Sequence, residues 1–296
     1  MRHSFAQRKG SVYPLLVTSG EGDDASPSPS ARPQSLMLSF LGLYVLDRRV
    51  AVSSGSVIEV FARLGVTEEA VRSTLTRMAK RGLLTRHRQG RKTYFGLTPH
   101  ATAVLEDGRR RIWETGAINR GWNGSWTVVG FSLPDTRRST RHDLRSRLTW
   151  AGFGLLQSGL WIAPGTKDVT AVVTELGLRD HVTVLAARAL RPTESADLVH
   201  SAFDTRQIAE RYHAFLDRWD TPGPQPALPD DLARQLLLHT DWLQLVRRDP
   251  HLPAEHLPPD WPAIRAEQVF RTLTRAYWEL ARDLAAAILD ELPLQP

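Results

Sequence analysis

The residues with the clearest chemical use lie between positions 70 and 92. Eight of them are Lys or Arg (Arg72, Arg77, Lys80, Arg81, Arg86, Arg88, Arg91 and Lys92), and none is Asp or Glu. Guanidinium and ammonium groups at this density bind anions, and a row of them suits a polyanion such as the nucleic-acid backbone. The spacing divides the stretch in two. In the first part Val71, Leu75 and Met78 recur at helical intervals and point inward, leaving Arg72, Ser73, Thr76, Arg77 and Lys80 on other faces. Short polar groups beside arginines suit a helix that reads base edges in a major groove. In the second part, residues 83–88 and 91–97 read as strands around a Gln89-Gly90 turn. That hairpin would carry Arg86, Arg88, Arg91 and Lys92 toward phosphates or a minor groove. A reading helix followed by a basic hairpin predicts a winged helix-turn-helix on double-stranded DNA.

The charge distribution agrees. The chain has 38 Lys and Arg against 32 Asp and Glu, a net charge of +6. Residues 35–120 hold 15 basic and 7 acidic side chains, residues 1–34 hold 4 and 3, and residues 121–296 hold 19 and 22. A basic module joined to a slightly acidic remainder fits a DNA-binding part with a regulatory body. Catalytic chemistry has few handles. The absence of Cys excludes thiolate nucleophiles, thiolate metal sites and disulfides, and suits a cytoplasmic protein. The 10 histidines are scattered, and His251 and His256 flank a Pro-containing loop without the i, i+4 spacing of a helical zinc site. Walker A, Gly-x-Gly-x-x-Gly and Gly-x-Ser-x-Gly sequences are missing. The expectation is a non-enzyme that uses no cofactor and no metal. No apolar run reaches the ~20 residues of a membrane span, and no secretory signal is evident.

The elements that must position the basic stretch surround it. Residues 1–34 are rich in Ser, Pro and Gly and read as a disordered tail, with an apolar patch at 12–17. Residues 35–46 are strongly apolar and predict a buried first helix. Residues 56–64 place Val57, Val60, Phe61 and Leu64 on one helical face. Gly65-Val66 is the turn, and Thr67 is a good N-cap for the third helix, whose first turn holds Glu68 and Glu69. Gly82 closes that helix. Thr98-Pro99 opens another, running to about residue 112 and ending in Arg109-Arg110-Arg111. Further on, a strand at 126–133, a helix at 136–150, strands at 153–156 and 160–163, a helix at 169–178 and a strand at 182–187 follow. This is the β-α-β-β-α-β order of a ferredoxin-like domain. A linker at 192–197 leads to helices at 202–219, 232–247 and 262–292, with a Pro-rich loop at 221–229. The expected architecture is therefore α+β and multidomain: a winged helix over 35–120, a ferredoxin-like domain over 121–192 and an α-helical domain over 193–296.

The order of the motifs SLMLSFLGLYVL, GVTEEAVRSTLTRMAKRGLL, GRKTYFGLT, GSWTVVGFSLPD, LLQSGLWIAPG, FDTRQIAERYHAFLDRW and HLPAEHLPPDWP resembles the phenylacetic-acid-degradation repressor family, the PaaX-like regulators. The resemblance spans about residues 35–290. It implies a dimeric repressor of an aromatic-acid catabolic operon, released from its operator by an aryl-acyl-CoA thioester. It also implies a middle domain similar to Cas2, a metal-dependent nuclease fold. Such nucleases place a metal-binding Asp after their first strand, where this chain has Asp135. One carboxylate in a Leu-Pro-Asp-Thr turn is weak support for Mg²⁺ chemistry, because Asp is common there as a cap. An activator or dual regulator would have the same DNA contacts. The effector residues are not assigned. Arg137, Arg138 and Arg141 could meet phosphates, and Trp161, Tyr212 or Trp219 could line an inter-domain pocket, but solvated helix faces and ordinary core explain them equally well.

Overall fold

The computed structural model describes residues 33–115, 117–223 and 228–294. The predicted tail lies outside them, apart from Pro33 and Gln34, which already belong to the first helix, α1 (Pro33–Tyr44). The described residues fall into two units, one formed by Trp122–Phe203 and the other by the segments before and after it.

The larger unit begins with α1, a short strand β1 (Val50–Ser53), α2 (Ser54–Ala62) and α3 (Glu68–Lys80). Strands β2 (Leu84–Gln89) and β3 (Lys92–Leu97) follow, and then α4 (Pro99–Arg110), which continues as a π-helical turn, Arg111–Thr115. Each boundary has a local cause. Ser53, Thr67 and Thr98 cap α2, α3 and α4 by accepting the backbone N–H three residues on. Gly65 takes φ 71° between α2 and α3, a conformation glycine adopts without strain. The inward faces meet in one core, where Phe40 of α1 packs edge-on against Phe61 of α2 with ring centroids 5.9 Å apart. Val71, Leu75 and Met78 of α3 are buried as the spacing predicts. The hairpin turn lies one residue later than expected. Gln89 pairs with Lys92, so Gly90 and Arg91 form the loop, with Gly90 at φ 59°.

The smaller unit runs β4 (Trp126–Phe131), a 3-10 turn (Asp135–Arg137), α5 (Arg138–Trp150), β5 (Gly154–Gln157), β6 (Leu160–Pro164), α6 (Thr170–Glu175), β7 (Val182–Ala187) and α7 (Ser195–Ala202). Its antiparallel sheet is ordered β5-β6-β4-β7. Leu144 and Leu148 of α5, with Val172 and Val173 of α6, share a core with Val129 and Trp161 from the sheet. Helix α7 corrects the expected linker at 192–197. Val199 is fully buried, and α7 lies so close to β5 that a Cβ added to Gly154 would come within 2.3 Å of the Ala202 carbonyl oxygen.

The larger unit resumes with α8 (Thr205–Trp219), the helix expected at 202–219, which starts three residues later because Phe203-Asp204 separate it from α7. Asp204 caps α8 by accepting from the Gln207 N–H at 2.9 Å. Next come α9 (Asp231–Arg248), α10 (Pro262–Ile288) and β8 (Glu291–Pro293). Trp242 of α9 and Phe270 of α10 stack with centroids 4.7 Å apart. The last helix does not reach residue 292. It stops at Ile288, and the chain turns into β8, which pairs antiparallel with β1. Leu289 is extended and residues 291–293 pair with β1, and Pro293 bars a helix from continuing past residue 292. The resulting four-stranded sheet is ordered β2-β3-β1-β8, so the end of the chain completes the sheet that carries the basic hairpin.

Candidate nucleic-acid interface

Helix α3 separates its roles by face. With Val71, Thr74, Leu75 and Met78 buried, Arg72, Ser73, Arg77 and Lys80 are exposed and Thr76 is half-buried. These five line one open depression of about 690 Å³ together with Glu68 and Glu69. On the hairpin, Arg86, Arg88, Arg91 and Lys92 are all exposed, while Tyr94 and Phe95 anchor β3 in the core. Arg86 and Arg88 are two residues apart on one strand and so project from the same face of the ribbon. All nine residues expected to touch DNA are thus open or partly open to solvent, on the helix and the hairpin that the spacing predicts.

Four of these cations have side-chain partners, the first being Arg77, which donates to Thr74 Oγ1 at 3.3 Å on its own helix. Arg72 donates to Glu68 at 2.7 Å, an i, i+4 pair with both ends more than half exposed. Such a pair is legible in the sequence, and its neighbouring carboxylate opposes a phosphate. Arg86 lies over the Phe95 ring at 5.6 Å, which holds its guanidinium against the ribbon. Lys92 donates to Asp290 at 2.8 Å. That hydrogen bond and charge raise the Lys92 pKa, and the hydrogen bond from Lys92 is the largest influence lowering that of Asp290. Asp290 also accepts from the Tyr94 hydroxyl, and its own N–H donates to Ser56 Oγ at 2.9 Å. The chain just before β8 therefore holds a hairpin lysine, and nothing in the sequence around Lys92 points to it. The side chains of Arg88, Arg91 and Lys80 make no hydrogen bond or ion pair among the described residues.

The other candidates fall elsewhere. Asp135 is 91% exposed at its side chain and lies 3.4 Å from Arg141. Among the described residues no three His, Cys, Asp or Glu side chains gather as a metal site would require. Arg137 and Arg138 are exposed, and Arg141 donates to the Leu133 carbonyl. Trp161 belongs to the core of the smaller unit. Tyr212 is fully buried and donates to Asp249, and burial raises its pKa well above the ordinary phenol value. Trp219 is buried and donates to Asp241 at 3.0 Å. The last three serve packing in their own units. No helix among the described residues is long and apolar enough to cross a membrane.

Three family models match in succession. Residues 32–101 match "PaaX-like protein", residues 119–199 match "PaaX protein central Cas2-like domain", and residues 203–287 match "PaaX-like protein C-terminal domain". The chain is 28% identical over 280 residues to the transcriptional repressor PaaX of Escherichia coli (strain K12), a match that covers 88% of this chain and 86% of the relative. Among solved structures it is similar to the uncharacterized protein Rv0674 from Mycobacterium tuberculosis. That match has a TM-score of 0.59 at 24% identity and covers 88% of this chain and all of the other, a likeness of fold.

Proposed function

Because the chain belongs to the PaaX-like family of transcriptional regulators, we propose that it is a dimeric, ligand-responsive repressor that reads operator DNA through α3. In this reading α2, α3 and the β2–β3 hairpin are a winged helix-turn-helix, and the β-α-β-β-α-β segment is a ferredoxin-like domain. The observation that carries it is the division of α3 into a buried apolar face and an exposed face of Arg72, Ser73, Thr76, Arg77 and Lys80, directly followed by a hairpin bearing four more cations. Arg77 and Arg72 suit guanine edges, and Ser73 and Thr76 suit either base-pair type. Arg86, Arg88, Arg91 and Lys92 suit phosphates, where each contact releases counterions. A two-fold dimer would place two such helices in major grooves about 34–36 Å apart, or a multiple of that.

The family resemblance supplies the remainder: a cytoplasmic repressor of an aromatic-acid operon of the phenylacetate type, released by an aryl-acyl-CoA that binds the non-operator conformation better. An operator mobility shift tests the DNA reading. Arg77→Ala should weaken binding by roughly 1–3 kcal/mol and relax base preference at one position. Arg88→Ala should weaken all sequences alike and lower the salt slope by about 1. An Arg77→Ala protein with undiminished affinity and preference would remove α3 from the groove.

A further inference from the structure

Helix α5, in the smaller unit, carries a cationic face of its own. Residues 135–150 hold five arginines and one histidine against two aspartates. Leu144 and Leu148 are fully buried in the core of that unit, which fixes the rotation of the helix. Two of the arginines are engaged within the protein: Arg141 donates to the Leu133 carbonyl, and Arg147 meets Glu175 at 2.5 Å. Arg138, His142 and Arg145 are all exposed. At 3.6 residues per turn they fall within about 60° of one another around α5, with Asp143 at least about 100° from each. Their side chains make no hydrogen bond or ion pair among the described residues.

This placement works against the helix. The first turn of α5 starts with Arg138 and holds no acidic residue, so a cation stands where the macrodipole favours an anion. Arg138 and Arg141 repel at i, i+3, and Arg141 and Arg145 at i, i+4. Both effects have the same sign, and an anion laid along the face relieves both. Positions that break a local preference in this way are where function is expected. The length of the row selects the anion. At about 1.5 Å per residue, Arg138 and Arg145 are separated by roughly 10.5 Å along the axis. A DNA strand carries a charge about every 3.4 Å of helix axis, so the row faces about three phosphates. That matches a polyanion better than a single ion.

We propose that this face of α5 is a second contact to double-stranded DNA, in which Arg138, His142 and Arg145 hold backbone phosphates without reading sequence. The idea rests on the DNA-binding reading above and adds a surface to it. The test titrates the full chain into a labelled random-sequence duplex of about 40 base pairs, by fluorescence anisotropy across about 50–200 mM salt. In Arg138→Gln/Arg145→Gln, two lost phosphate contacts should lower the slope of log K against log salt by about 1.8. Its deficit should then grow about 12-fold over the fourfold dilution, since 4 raised to 1.8 is about 12. Arg138→Lys/Arg145→Lys should keep most of the slope. Arg206→Gln/Arg211→Gln on α8, which removes the same charge elsewhere, should keep all of it. The α5 glutamine variant should melt at the parent temperature or above, because repulsion is relieved. The proposal fails if that variant keeps the parent slope, if the α8 variant loses as much, or if lost binding comes with a lower melting temperature. It fails as well if inorganic phosphate at constant ionic strength erases the difference between parent and variant, since the face then holds a free ion. A parent that binds no duplex would overturn the DNA reading itself. A parent that binds, with an unchanged slope in the α5 glutamine variant, overturns only this contact.

Discussion

Asp290→Asn should strengthen DNA binding, and the structure sets the size of the effect. Asp290 holds Lys92 at 2.8 Å, so the hairpin presents that lysine as half of a neutral pair. Asparagine keeps the acceptor for Tyr94 and the backbone N–H that donates to Ser56, so the turn before β8 should hold. Only the charge is lost, and the hairpin gains one cation. In the counterion-release description one additional phosphate contact steepens the slope of log K against log salt by about 0.9. Going from 200 to 50 mM salt, a fourfold dilution, the variant's advantage should then grow by about 3.5-fold, since 4 raised to 0.9 is about 3.5. Fluorescence anisotropy with a labelled operator duplex across that salt range measures it, with thermal melts confirming an unchanged fold. Adding Lys92→Met to the variant should return the slope to the parent value. An Asp290→Asn advantage independent of salt, or one that survives Lys92→Met, would show that Lys92 does not face phosphate.

His239 should make the fold acid-sensitive. Burial pushes its imidazole from 6.5 down to about 3, so between those values the unfolded chain takes up a proton that the folded chain refuses. Stability therefore rises with pH across that window and is lost as pH falls below about 6.5, by roughly 1.4 kcal/mol per unit. Urea midpoints from pH 7 to 5 should show this decline, and His239→Gln should flatten it; a parent midpoint that does not move would contradict the burial. Gly42→Ala and Gly108→Ala should each stabilise the protein by about 0.5–1 kcal/mol in denaturant titrations, because a Cβ fits at 3.8 Å in both places. In Gly154→Ala the new methyl would meet the Ala202 carbonyl at 2.3 Å, backbone that cannot rotate away. A loss of about 1–3 kcal/mol is expected, with earlier proteolysis near α7, and a neutral melt would show that α7 does not pack there.

The basic surface of α3 and the hairpin was legible because every part of it is local. Thr67 caps its own helix, Val71, Leu75 and Met78 repeat at the period of that helix, and the hairpin alternates around a glycine that takes a positive φ. Periodicity of 3.6 or 2 needs no knowledge of distant chain. The errors arose where a partner came from far away. Residues 50–53 are four residues long and became a strand only because β3 and β8 flank them, one more than 40 positions later and the other about 240. The linker expected at 192–197 runs into α7 from Ser195, because the burial of that helix depends on the close approach that Gly154 allows in β5.

The sequence by itself determined the basic island, the faces of α3 and the caps at Thr67 and Thr98, since each follows from side-chain type and backbone period within about a dozen residues. The tertiary structure alone decided which cations remain unpaired. Asp290 meets Lys92 across 198 positions, and Asp230 meets Arg63 across 167. Coulomb energy depends on distance in space, and a chain that turns from α10 into β8 brings together charges whose separation along the sequence says nothing about that distance.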